Sequence, residues 1–365
     1  MGYSGAVRKE AVLTRLRVLS GLVLMGACAA CGFAQAGGKL LVALKGEQSL
    51  AIVDPVAGTV IAKVSEGKLP GKDTGHEVAA SLNGKLAFVP IYGDSGVGKP
   101  GSDGRTMVVI DIASRKIVKT IDFGTAWAGA AMRPHCAVMA PPMKGYPDGV
   151  LYVTTELGKA ITAVDPKTLT IIGAISTGQE QSHMLAVSHD GKWGYTANVG
   201  PGTVSVLDLT PKPDGSWKNP VAVIPISANT QRISVSMDDK WVFTSDQTKP
   251  ELVVIDAAKR TVAKRIPMEG TGYGTAVTPD GRWLLVPLED VNKIAVIDLT
   301  TWAVVRNIAL AAGTHPQEAL VTPDGKTAYV SCDHSGQVAE IDTGTWAVRR
   351  MIDTGKVSDG LTWAR

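Results

Sequence analysis

The sequence predicts an all-β fold, a seven-bladed β-propeller of four-stranded antiparallel blades. Three observations carry this expectation. An aspartate closing a short apolar strand recurs seven times, at Asp54, Asp111, Asp165, Asp208, Asp256, Asp298 and Asp342. Each is followed by a polar turn and a further apolar strand. The repeat length is about forty to fifty residues, the period of propellers and solenoids rather than of a single wound sheet.

One copy shows the elements in order. Leu320 to Val330 is a first strand, a Pro-Asp-Gly turn and a second strand; Gln337 to Asp342 is the third and Thr345 to Ile352 the fourth. Apolar and polar residues alternate along them, and Asp-Gly turns separate them, so they read as hairpin-linked antiparallel strands. Seven copies arranged radially bury both faces of each sheet and leave only short edges. Lys39 to Ala43 matches a second strand, and Asp359 to Arg365 matches a first strand. The C-terminal strand is therefore expected to complete the first blade and lock the ring.

The chain has 365 residues, and residues 1–36 read as a secretory signal peptide. Arg8, Lys9, Arg15 and Arg17 precede an apolar run from Val18 to Ala30, and Ala34-Gln35-Ala36 supplies a small-x-small cleavage pattern. The run is too short to span a bilayer, and no later stretch is long and apolar enough. These features imply a periplasmic or secreted protein whose propeller domain occupies residues 37–365. Cys28 offers an alternative, lipid-anchored form. The formal net charge of +3 is carried by the signal segment, four basic residues against one acid, leaving the remainder near zero. That balance gives nothing to favour nucleic acid or an anionic membrane surface, and no nucleic-acid partner is expected. Cys28 and Cys31 lie in the leader, which rules out a metal or redox role for the pair; Cys136 and Cys332 are expected to be free structural thiols in distant blades.

Tyr152-Val-Thr-Thr155, Tyr195-Thr-Ala-Asn198 and Tyr329-Val-Ser-Cys332, with the Pro-Asp-Gly-Lys and Val-Ile-Asp elements, resemble the YVTN family of bacterial propeller repeat proteins. The resemblance covers roughly residues 39 to 365 and implies the fold. The family includes secreted binding and surface proteins, and similar propellers serve as lactonases and as the heme-binding domain of a bacterial nitrite reductase. The resemblance leaves the choice among these functions open.

Chemistry is expected on the face that carries the connections into the innermost strands and the loops between second and third strands, here called the top. Its long insertions are 66–75, 92–105 and 122–134. Counting back from the Asp-Gly and Asn-Gly turns aligns one residue per blade at the start of each innermost strand: Asp359, His76, His135, His183, Gln231, Tyr273 and Gln317. The chain has only six histidines, and three fall at one equivalent position on consecutive blades. His315 stands two residues before its ring position. A second ring, at the ends of the second strands, is Lys45, Tyr92, Glu156, Asn198, Asp246, Glu289 and Asp333. Arg232, Glu77 and Glu318 lie one residue beyond the first ring, where strand alternation turns them away from the axis.

Three neutral imidazoles converging on one point suit Zn, Cu or Fe with an open position for water or substrate. The alternative is that they line a polar channel and bond to neighbouring loops. The leading expectation is a propeller that binds a small molecule, ion or protein partner at the top of its channel, with Arg232, Tyr273, Gln231, Gln317, Asp359, His315 and Lys45 as ligand-contacting residues. A second is a lactonase-like hydrolase using His76, His135 and His183 as a metal site, with Glu156, Asp246, Glu289 or Asp333 as catalytic carboxylate. A third is ligation of heme by a histidine. His189 and His334, beside turns, read as solvent-exposed, and Trp193, Trp241 and Trp283 as blade packing. Gly270 to Gly274 lacks the strand-then-helix context of a nucleotide loop. Neither a Gly-x-Ser-x-Gly elbow nor a His-Glu-x-x-His motif occurs.

Overall fold

A computed structural model of the protein describes residues 37–365 apart from Ser95, Gly98, Pro100 and the segments 125–131, 213–215 and 218–219. The leader, with Cys28 and the cleavage pattern at Ala36, lies outside the described residues. The alternating segments form seven antiparallel sheets. From the axis outward the first blade is Ser358–Ala364, Lys39–Leu44, Ser49–Asp54 and Thr59–Ser65. The third is Pro134–Ala140, Val150–Thr155, Ala160–Asp165 and Thr170–Ser176, and blades four to seven begin at Ser182, Thr230, Ala276 and Pro316. In the second blade the innermost strand is split into Thr74–Gly75 and Ala79–Ala80, both pairing with Leu86–Gly93. The two middle strands of each blade are buried on both faces, because adjacent blades pack against each side. Outer strands such as Thr59–Ser65 alternate exposed and half-buried residues.

The predicted closure is present. Leu40 pairs with Trp363, Leu41 with Thr362 and Val42 with Leu361, so the C-terminal strand completes the first blade. All seven aspartates cap their own turns. The Asp54 carboxylate accepts the N–H groups of Val56 and Ala57 at 2.9 and 3.1 Å, and Asp342 those of Gly344 and Thr345 at 2.9 and 2.8 Å. Asp111, Asp165, Asp208, Asp256 and Asp298 do the same. In most of these turns the residue four positions on, such as Trp302 or Trp346, takes a left-handed backbone and donates its N–H to the aspartate carbonyl. The repeated aspartate is therefore an Asx-turn device. Tryptophans join blades: Trp241 packs edge-on against Trp302 at 5.2 Å and Trp283 against Trp346 at 5.7 Å. Cys136 and Cys332 are free and buried. No helix among the described residues is long and apolar enough to cross a membrane.

One departure from regular pairing governs the channel. Register shifts occur at the start of the innermost strands, between Thr230 and Ile233, between Pro316 and Ala319, and opposite Val153 and Thr155. Each bulge inserts an extra residue and leaves ladder groups without partners. Hydroxyls of the second strands supply them. Thr154 Oγ1 accepts the Cys136 N–H at 2.9 Å, Ser331 Oγ accepts the Glu318 N–H at 3.0 Å, and Thr244 Oγ1 donates to the Arg232 carbonyl at 2.6 Å. Because a bulge breaks the two-residue alternation, consecutive residues of one innermost strand can both reach the axis. Gly360 allows the first and second blades to meet there: its N–H donates to the His76 carbonyl at 2.9 Å, and a Cβ at this position would lie 2.6 Å from the Glu77 Cα.

Two outcomes follow from this architecture. Deleting residues 359–365 removes ladder bonds of about 1 kcal/mol each and uncovers Leu40 and Val42, each worth about 2 kcal/mol. That loss is comparable with the whole stability of a domain, so the truncated chain should unfold far below the full one in a thermal melt; an unchanged transition would refute ring closure. Glu66, 1% exposed, is pushed by burial from 4.5 up to about 7, although it accepts hydrogen bonds from the Gly75 N–H and the Thr74 hydroxyl. A carboxyl raised on folding adds stability that is complete below its unfolded value and is lost as pH rises through the folded one. Glu66→Gln should therefore abolish a decline of up to about 3 kcal/mol between pH 4.5 and 7.5 in denaturant unfolding. Parallel stability profiles for the two proteins would contradict this.

Candidate functional site

The bulged strand starts bring one side chain after another to the top of the channel. A cavity of about 420 Å³ is lined by Lys45, His76, Tyr92, His135, His183, Gln231, Arg232, Tyr273 and Asp359 among others. Most of the aligned ring thus surrounds one space. Gln317 is buried nearby without a hydrogen-bond partner for its Oε1.

The three histidines do assemble, but as a packed stack. His135 lies over His183 with ring centroids 3.7 Å apart and 25° between planes, His76 meets His135 edge-on at 5.5 Å, and Tyr92 is wedged beside all three. The group of three metal-capable side chains whose donor atoms lie within 4.8 Å of one another is a different one among the described residues: His315, Asp333 and His334. The channel imidazoles therefore offer individual nitrogens rather than a preformed three-nitrogen cage.

A buried relay orients one of them. Tyr92 donates its hydroxyl to Glu156 Oε2 at 2.9 Å, and Glu156 Oε1 lies 2.9 Å from His183 Nδ1. Burial works to raise the Glu156 carboxyl, yet the bonds from His183 and Tyr92 and the charge of Arg133, at 3.5 Å, bring it below its usual value. A carboxylate acceptor fixes the proton of neutral His183 on Nδ1 and leaves the lone pair on Nε2. Burial depresses all three histidines, His183 least because Glu156 offsets part of the effect, and His76 to about 3. They are neutral at pH 7. His135 Nδ1 is buried with no partner.

Below this stack sits an ionic cluster that strand alternation did not anticipate. Arg232, Glu77 and Glu318 do not turn away from the axis: the irregular strand starts direct them to it. The Arg232 guanidinium, 2% exposed, bonds to Glu77, to Glu318 at 2.8 Å and to Asp359 at 3.4 Å, and lies over the Tyr273 ring. Lys45 reaches the other oxygen of Asp359 at 2.8 Å. Burial raises Asp359, but Lys45 and Arg232 more than offset it and hold it ionised; Glu77 and Glu318 are raised, chiefly by burial and also by the neighbouring carboxylates. Three acids around one guanidinium cannot all ionise freely, and Asp359 is the one held ionised.

The remaining expectations divide. Of the four carboxylates, only Glu156 touches the channel histidines. Asp246 caps its own loop through Thr248, while Glu289 and Asp333 gather around His315. His315 does not line the channel cavity; it stands on the rim, with Asp333 at 2.8 Å. His189 and His334 are exposed. Arg133 was missed. It lies over the Tyr92 ring at 4.5 Å and approaches Glu156 and Asp103. The repeat held the signal: Arg133, Gln181, His315 and Val357 each stand two residues before a ring position and adopt a left-handed backbone. Their carbonyls accept the N–H groups of Glu156, Val199, Asp333 and Lys45, which ties the two rings together.

Comparison with solved structures supports the fold. The chain is similar to hydrazine synthase of Kuenenia stuttgartiensis, with a TM-score of 0.65, 19% identity, and coverage of 81% of this chain and 90% of that one. It is similar to the periplasmic gluconolactonase PpgL of Pseudomonas aeruginosa, with a TM-score of 0.68, 15% identity and coverage of 90% and 99%. The dihydro-heme d1 dehydrogenase NirN in complex with DHE aligns with a TM-score of 0.58 at 14% identity, covering 89% and 74%. No curated protein matches the sequence. At the level of architecture these neighbours agree with the resemblance to bacterial repeat propellers, although the YVTN name itself finds no match among them. The profile of the cytochrome D1 heme domain matches residues 149–364, more than half of the chain, from the second strand of blade three to the closing strand, and the protein belongs to that family.

Proposed function

We propose that the top of the channel binds a heme-type tetrapyrrole, with a neutral imidazole of the stack facing its iron and the Lys45 and Arg232 cations facing its carboxylate substituents. The observation that carries this reading is His183, whose Nδ1 is committed to buried Glu156 so that Nε2 alone remains as a donor. The donor set fits the group. One histidine nitrogen would be enough to hold the iron of such a group, so the stacked rings need not converge, and His135 Nδ1, which has no hydrogen-bond partner, is a second candidate. Bound iron tetrapyrrole supplies electron transfer and ligand activation at the metal. The chain's own contribution is orientation and charge. Glu156 holds the His183 tautomer and raises its donor strength, Tyr92 and Arg133 hold Glu156, and Lys45 offers an ammonium that Asp359 holds above its usual value against the opposing effect of burial. The family and the neighbour named as a dihydro-heme d1 dehydrogenase support the same class of ligand.

A second reading rests on the same relay. With Nε2 free and Glu156 behind it, His183 is placed to act as a general base on water against a lactone or ester in the cavity, as the gluconolactonase neighbour suggests. The leader motif and that neighbour's periplasmic location favour an extracytoplasmic protein under either reading.

Titration of the purified, untagged protein with hemin separates them. A stoichiometric complex with a shifted Soret band is expected, with the iron ligation lost in His183→Ala or His135→Ala. Lys45→Met should weaken binding about ten-fold, the loss of one charge-assisted contact, with the spectrum unchanged. No Soret shift in the unaltered protein, or the same spectrum in both histidine variants, would overturn the heme reading.

A further inference from the structure

The top face carries a second histidine group that the channel does not use. His315, at the left-handed position before the seventh innermost strand, places Nδ1 2.8 Å from Asp333 Oδ1. His334 follows Asp333 at the end of the second strand, and its Nε2 lies 3.9 Å from the same oxygen. The two imidazoles are parallel, with centroids 4.0 Å apart and 6° between planes. Donor atoms from all three residues lie within 4.8 Å of one another. We propose that His315, Asp333 and His334 form a binding site for a divalent transition-metal ion of the imidazole-preferring class, such as Zn²⁺, on the rim of the channel.

The geometry supports this over a simple ion pair. Bonds of about 2.0–2.1 Å at tetrahedral angles put the donors of a zinc site roughly 3.3 Å apart, and the observed separations bracket that value within reach of side-chain rotation. An ion pair between His315 and Asp333 accounts for two of the residues but not for His334. That exposed ring makes no hydrogen bond among the described residues, yet it lies flat on His315 with a nitrogen toward the shared oxygen. The supports are firm. The His315 N–H donates to Asn292 Oδ1 at 3.0 Å, and the Asp333 N–H donates to the His315 carbonyl at 3.3 Å. In the metal-free protein His315 Nδ1 is hydrogen-bonded to Asp333, so an ion binding at Nδ1 would displace that proton, and Glu289 Oε2, 3.7 Å from His315 Nε2, stands where a small rotation would let it accept the N–H on the other nitrogen. Two imidazoles and one carboxylate leave coordination positions open. Asp333 and His334 also line a cavity of about 590 Å³ that continues to Glu47, Asp353 and Lys356, which leaves room beside the site for a further ligand.

The site is independent of heme binding, and its failure would leave that reading untouched. Zn²⁺ titrated into untagged protein against a chromophoric chelator should register a binding site that His334→Ala weakens by about ten-fold or more, a substitution at an exposed position that the fold tolerates. Asp333→Asn should weaken it as well, while His183→Ala in the channel should leave it unchanged. Co²⁺ in place of Zn²⁺ should show d–d absorption that disappears in His334→Ala. Zinc affinity equal in the unaltered protein and His334→Ala, or reduced only in His183→Ala, would overturn the proposal.

Discussion

The pairing of Ser358–Ala364 with Lys39–Leu44 is the contact on which the rest depends. A propeller blade cannot bury its two faces alone; each relies on its neighbours, and an open ring leaves two blades half covered. The closing strand does more than supply hydrogen bonds. It carries Asp359, the one acid of the axial cluster held firmly ionised, and Gly360, whose N–H joins it to the second blade at His76. The residue that seals the ring electrostatically thus sits one position before the residue that seals it sterically. Arg232 extends the link across the channel to blades two and seven through Glu77 and Glu318. Ring closure and the floor of the site are one structure.

That floor explains the state of the imidazoles above it. Desolvation alone disfavours a charged histidine, and the cations Lys45 and Arg232 add repulsion. Asp359 pulls the other way but is already shared between those two cations. Only His183 has its own carboxylate, and only His183 is correspondingly less depressed. The stack therefore consists of neutral rings differing in hydrogen bonding: one fixed by Glu156, one with an unpartnered nitrogen, one against the ring of Tyr92. Such a set accepts protons poorly and donates lone pairs well, which suits ligation more than acid catalysis.

The blade count, the register and the closing strand were legible because the aspartate turn is local. An Asx turn needs only its own residue and the next three, and it leaves an unbroken mark in the sequence. Register in turn placed His76, His135 and His183 at one level, and the structure brings them into contact. What alternation got wrong was the next residue. Glu77, Arg232 and Glu318 meet at the axis because the innermost strands that carry them start irregularly, bulged in blades five and seven and split in blade two, and either irregularity breaks the parity on which the expectation rested. The trace of a bulge is faint: the hydroxyl third in Tyr152-Val-Thr154, Val242-Phe-Thr244 and Tyr329-Val-Ser331, which bonds to the bulged backbone. Arg133 escaped notice for a related reason. Its position follows from a left-handed turn shared with His315, and left-handed backbone in a residue other than glycine has no reliable signature in composition.

The two rings diverge in a way that separates scaffold from site. At the blade bottoms seven copies keep one residue, aspartate, for one task. At the top the equivalent positions hold aspartate, three histidines, two glutamines and a tyrosine, and the positions two residues earlier include an arginine and a fourth histidine. Uniformity persists where every blade faces the same local demand, to turn the chain, and is lost where each blade faces a different part of a single asymmetric space. Blades two to four contribute the imidazoles of the channel; blades six and seven contribute Glu289, His315, Asp333 and His334 to its rim. Arg133 and His315 make the division concrete. They occupy equivalent positions, share the left-handed backbone and accept the equivalent N–H bond, yet one braces a carboxylate inside the channel and the other pairs with a carboxylate at its edge. With the backbone held constant by the repeat, the side chain alone decides which half of the top face it serves.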